Sequence, residues 1–235
     1  MRMYPRTMML VCSAVILQSV CHDYAYPAQD IPYENDKASA ANTIFDDQML
    51  LDGYTQKYKD LPKDILVAMM EDDTLTPYRS AGAIKVFKEK YSHEVVSHEK
   101  RNIEKILLRR LHRTDSPFVE VEVMHTLCLM DRYRYFKSMA PALIQKLDHY
   151  NTAINEIAFE SLSQLIESKN NRSRGEARVI FNTLRKVLFL SRKRLVNVTE
   201  PDARLTKKLK LLRWSIKVLG NQELKKLPNE VINLL

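Results

Sequence analysis

Three prolines frame this chain, because each stands where a helix would begin. Pro77 follows Thr76, Pro117 follows Ser116, and Pro201 comes after Thr199 and Glu200. Proline has no amide hydrogen to give to a helix, yet at the first helical position that hydrogen is unpaired in any case. A small hydroxyl residue just before it is a favoured N-cap. The prolines lie 40 and 84 residues apart, one and two steps of a period of roughly 42. The missing start falls at Asn151-Thr152, a further capping pair displaced by several residues.

The segments behind these starts share one pattern. VEVMHTLCLM, NEIAFESLSQL and KLLRWSIKVL each place apolar residues at i, i+4 and i+7. The triplets are Val123/Leu127/Met130, Ala158/Leu162/Leu165 and Leu212/Ile216/Leu219, with Ser80/Ile84/Phe87 as a weaker match. A second amphipathic segment follows each one: IEKILLRRL, APALIQKLDHY, EARVIFNTLRKVLFL and LPNEVINLL. Such spacing gives each helix one apolar stripe to turn towards its neighbours. Only 4 glycines occur in the chain, too few for the turns of an all-β fold.

Residues 115–136, DSPFVEVEVMHTLCLMDRYRYF, put this pattern under strain. FVEVEVM alternates apolar and acidic residues as a half-buried strand would. Val119, Val123, Leu127 and Met130 nevertheless form a helical stripe through the whole stretch, and no pairing strand exists elsewhere. Helix is therefore expected here, with Glu120 and Glu122 near its first turns, where acidic groups complement the helix N-terminus.

With its helix pairs recurring at this period, the chain resembles HEAT and armadillo repeat proteins over roughly residues 60–235. Asp131-Arg132, after the first helix of one unit, looks like the Asp/Arg position common in such repeats. The resemblance implies an all-α fold, a right-handed α-α superhelix of about four HEAT-like pairs over residues 61–235. It also implies a surface that binds proteins or other macromolecules, without catalysis and without a cofactor. An irregular all-α domain is the alternative.

The N-terminus has a different character. Arg2 and Arg6 precede TMMLVCSAVILQSVC, 15 residues without a charge from Thr7 to Cys21. A spanning helix needs about 20 apolar residues, so this run fits a secretory signal better. Residues 1–28 are accordingly expected to be a signal peptide, with a lipid anchor at Cys21 or an uncleaved membrane anchor as alternatives. Residues 29–60 are expected to be a flexible acidic arm. Cleavage beyond Cys21 would leave Cys128 alone, a buried small hydrophobe with no disulfide partner.

The net charge of +8 conceals a gradient along the chain. Residues 22–75 carry 4 Lys/Arg against 12 Asp/Glu, whereas residues 171–235 carry 16 against 5. The candidate binding surface is therefore C-terminal: Arg178, Arg185, Lys186, Arg192, Lys193 and Arg194 in one helix, and Lys207, Lys208, Lys210, Arg213 and Lys217 in the next. Adjacent helices would merge these rows into one basic face.

Catalytic signatures are missing: no GxSxG, HExxH, P-loop or GxGxxG occurs. His125 and Cys128 lie one turn apart, but a structural zinc site needs four ligands. The expected function is a scaffold of a bacterial envelope, exported to the periplasm or envelope, docking an acidic protein or an anionic envelope polymer or lipid. The alternative is an intracellular helical-repeat protein that binds nucleic acid. No small-molecule substrate is indicated.

Overall fold

The computed structural model describes residues 43–167, 173–196 and 198–235. The expected signal peptide and the first part of the expected arm lie outside these residues. Among the described residues all regular structure is helical. The helices are α1 (Thr43–Tyr58), α2 (Lys63–Glu71), α3 (Pro77–Tyr91), α4 (Ser97–Arg113), α5 (Pro117–Met130), α6 (Arg132–Lys146), α7 (Thr152–Glu167), α8 (Ser173–Leu195) and α9 (Ala203–Leu219). A 3₁₀ segment (Asn221–Lys226) and the single turn α10 (Asn229–Ile232) follow.

Local chemistry sets most of these starts. Pro77 and Pro117 occupy the first turns of α3 and α5, although neither Thr76 nor Ser116 makes a side-chain capping bond. Asn151 opens α7, its Oδ1 accepting the Ala153 N–H at 2.9 Å. The start expected at Pro201 is displaced: α9 begins at Ala203, because Asp202 caps it by accepting the Leu205 N–H at 2.7 Å. A carboxylate at the cap satisfies an otherwise orphaned donor and complements the helix dipole.

The helices pack in two rows, the first of which also brings α1 against α7. Along one row α1 packs on α3, α3 on α5, and α5 on α7; along the other α2 packs on α4, and α6 on α8. Cross-row contacts join α2 to α3, α4 to α5, α6 to α5 and α7, and α8 to α9. Neighbours within a row run parallel. Tyr78 meets Asp47, Lys85 meets Asp52 and the Tyr91 hydroxyl meets the carbonyl of Leu61 just beyond α1, in ascending order along both segments. Gly82 allows their close approach, since a Cβ there would stand 3.0 Å from the Tyr54 Cβ.

The aligned triplets form the core of this arrangement. Ser80, Ile84, Phe87, Val123, Leu127, Ala158, Leu162, Leu165 and Leu212 are fully buried, with Ile216 and Leu219 nearly so. Met130, at the end of its stripe, is partly buried. FVEVEVM lies within α5, and the strand alternative is excluded for it.

Two expectations need correction. The acidic arm does not extend through residues 43–58, which form α1: Leu51 and Tyr58 are buried, and the helix packs on α3. Nor does Glu122 serve the N-terminal dipole of α5. It is 1% exposed at its side chain and pairs at 2.6 Å with the equally sequestered Lys88 of α3. Glu120 reaches Lys146 of α6, also at 2.6 Å.

Candidate docking surface

Many charged groups in the described residues pair with a residue of another helix. At the N-terminal ends of α2, α4, α6 and α8 these partners form a ladder. Lys63 pairs with Glu99, Lys100 with Asp131 at 3.5 Å, and the Arg132 guanidinium with Glu176 at 2.6 Å. Each middle helix supplies an acid followed by a base, Glu99-Lys100 and Asp131-Arg132, so the acid looks back one helix and the base looks forward. Asp131 also caps α6 by accepting the Arg134 N–H at 3.2 Å. The ladder gives Asp131-Arg132 an equivalent in Glu99-Lys100, which helix pattern alone did not reveal. Its signal is the acid–base dipeptide at a helix start.

Pairing also occupies two clefts among the described residues. One, of about 480 Å³, is lined by Asp73, Arg110, Arg113 and Ser116 among others. There Asp73 bridges Arg113 at 2.6 Å and Arg110 at 2.9 Å. The Arg113 hydrogen bond, with help from Arg110, holds the Asp73 carboxyl below its usual range. Buried Arg110 also donates to the Ser80 hydroxyl at 2.7 Å. The other cleft, of about 550 Å³, lies between α2 and α4 and contains the Lys63–Glu99 pair.

The structure divides the predicted basic face. Lys207 turns towards α7, where its ammonium meets Glu156 and Asn155. Lys208 is buried and pairs with Asp148. Arg213 donates to the carbonyls of Leu234 and Leu235, both at 2.9 Å, and so anchors the last residues. Arg178 and Arg185 neighbour buried Glu223, whose carboxyl is lowered first by its bond to Lys226 and further by these two arginines. Arg192 lies over the Phe189 ring, 4.0 Å from its centre.

The other five of the eleven are exposed and join no ion pair among the described residues. Lys186, Lys193 and Arg194 are exposed on α8, and Lys210 and Lys217 on α9. Lys210 stands 5.4 Å from the Phe159 ring centre. Helical spacing puts Lys210 and Lys217, seven residues apart, on one face.

Tyr135 is buried and Trp214 partly buried, whereas Tyr133 is 61% exposed. Cys128 is fully buried, and burial pushes its thiol up to about 12. His125 is fully buried too, held well below its usual range by burial and then by Lys88. Among the described residues, no group of three or more His, Cys, Asp or Glu is placed to hold a metal ion. None of their helices is long and apolar enough to cross a membrane.

No family model, curated protein or solved structure matches this chain.

Proposed function

We propose that this chain is a non-enzymatic scaffold of HEAT-like helix pairs that docks an acidic partner through cations of α8 and α9. One observation carries this reading: Lys186, Lys193, Arg194, Lys210 and Lys217 stand in solvent on two adjacent helices, and no acid occurs from Ala177 to Thr199 to pair with them along the chain. The repeat assignment draws support from the buried triplets and from the ladder of acid–base dipeptides. Location at a bacterial envelope draws support from the uncharged run Thr7–Cys21 behind two arginines. Sequencing the N-terminus of the mature protein from cell fractions tests the location separately.

Retention on immobilised polyglutamate, eluted with rising salt, tests the docking surface. Lys193→Glu, Arg194→Glu and Lys217→Glu together should elute at clearly lower salt than the parent. A control set of equal charge, Arg101→Glu, Lys105→Glu and Lys137→Glu, alters exposed residues of α4 and α6 and should shift elution far less. Equal shifts for both sets would reduce the effect to net charge and overturn the surface. Preferential retention on duplex DNA, falling steeply with salt, would favour the nucleic-acid reading instead.

A further inference from the structure

Three apolar side chains stand in solvent where α8 ends. Leu190 is 83% exposed, Val196 62% and Phe189 50%. Helical geometry places Lys186, Phe189, Leu190 and Lys193 on one outward face, at i, i+3, i+4 and i+7. Arg194 is exposed beside them, and Val196 follows directly after the helix. Arg192 lies over the Phe189 ring and donates to the Phe189 carbonyl at 3.0 Å, which fixes a cation against the apolar surface. No carboxylate occurs anywhere from Ala177 to Thr199. The result is a convex ridge in which apolar and cationic side chains alternate.

Such a ridge suits one kind of occupant. An acidic protein would need a recess shaped for Leu190 and Phe189, since burying a protruding side chain requires complementary packing. A bilayer needs no recess: its acyl boundary accepts apolar side chains of any shape, and its anionic headgroups meet flanking lysines and arginines. We propose that the end of α8 docks on an anionic lipid surface, with Phe189, Leu190 and Val196 entering the headgroup–acyl boundary and Lys186, Arg192, Lys193 and Arg194 at the phosphates. This rests on the reading that the C-terminal cations bind an acidic partner, and it names that partner as lipid. The attachment is interfacial.

Flotation of the full chain with vesicles tests the proposal. One vesicle is pure phosphatidylcholine; the other is equal parts phosphatidylcholine and phosphatidylglycerol. The chain should float with the second and not with the first. Phe189→Ser, Leu190→Ser and Val196→Ser together should weaken flotation about tenfold or more, as should Lys186→Glu, Lys193→Glu and Arg194→Glu. Both sets change exposed positions, and circular dichroism melts confirm that each variant is folded. Flotation insensitive to the serine set would mean simple charge attraction and would overturn apolar entry. Absence of flotation, with polyglutamate retention intact, would overturn the lipid assignment and leave acidic docking standing. Loss of both in the parent protein would overturn both.

Discussion

The two ends of this molecule treat charge in opposite ways. From α2 to the start of α8, many basic side chains find carboxylates on another helix of the stack, as in Lys100–Asp131 and Arg132–Glu176. Beyond that point α8 runs on through Arg194 without a single acid after Glu176. The same residue types therefore give internal links in one region and an outward face in the other. What differs is whether an acid stands one helix away in the stack. A basic composition does not make a binding surface by itself; it does so where the pairing ends.

The sharpest way to break the paired region is at its most buried link. Glu122 and Lys88 are 1% and 6% exposed at their side chains and 2.6 Å apart. Glu122→Ala would leave the Lys88 ammonium without its carboxylate inside the α3–α5 interface. Removing one partner of a buried ion pair costs about 3–5 kcal/mol. Urea unfolding followed by circular dichroism should show that loss. Replacing both residues, Lys88→Met with Glu122→Leu, should recover most of it, because an apolar pair of similar volume needs no desolvated charge. A mild effect of Glu122→Ala alone would mean that water reaches this pair.

A smaller effect sets the ladder directly against the surface. Arg132 donates to Glu176, and both side chains are largely covered, at 13% and 11% exposure. Arg132→Ala should cost about 1.5–3 kcal/mol, the range for hydrogen bonds to charged groups. Lys193→Ala and Arg194→Ala, on the same helix as Glu176, should each stay within about 0.5 kcal/mol. The two alanine substitutions on the surface should instead lower polyanion retention. Similar stability losses at all three positions would erase the distinction between linking and displayed charge.

The helical class and the core were legible in the sequence because they follow from local spacing. Val119, Val123, Leu127 and Met130 kept a helical stripe through the alternating FVEVEVM, and the four triplets supply much of the buried interior. Where the reading failed, a longer-range term decided. Helix α1 hides its apolar positions Leu51, Tyr54 and Tyr58 among Asp46, Asp47 and Asp52, so composition suggested an arm. Only packing on α3 makes that pattern pay. The basic face was overcounted for a similar reason. Lys207 and Lys208 carry the same charge as Lys210 in sequence, but α9 turns them towards Glu156 and Asp148, 51 and 60 residues away. Net charge per segment shows how many cations a helix has, not which of them the next helix neutralises.

The smallest predicted effect concerns a buried polar group that the paired region leaves unmatched. His125 is fully buried on α5, and neither ring nitrogen has a hydrogen-bond partner among the described residues. Burial, and then Lys88 on α3, holds its ring neutral far into the acid range. In the unfolded chain the same ring takes up a proton at about pH 6.5. Below that pH the unfolded state binds a proton that the folded state refuses, so stability falls as pH drops, by at most about 1.4 kcal/mol per pH unit from this group. Above it the contribution is complete and constant. His125→Leu removes both the unpaired nitrogens and this proton linkage. It should stabilise the fold by about 1 kcal/mol at neutral pH and flatten the loss measured by urea unfolding between neutral pH and the acid range. A destabilised leucine variant with an unchanged acid slope would show that the imidazole has a partner in solution.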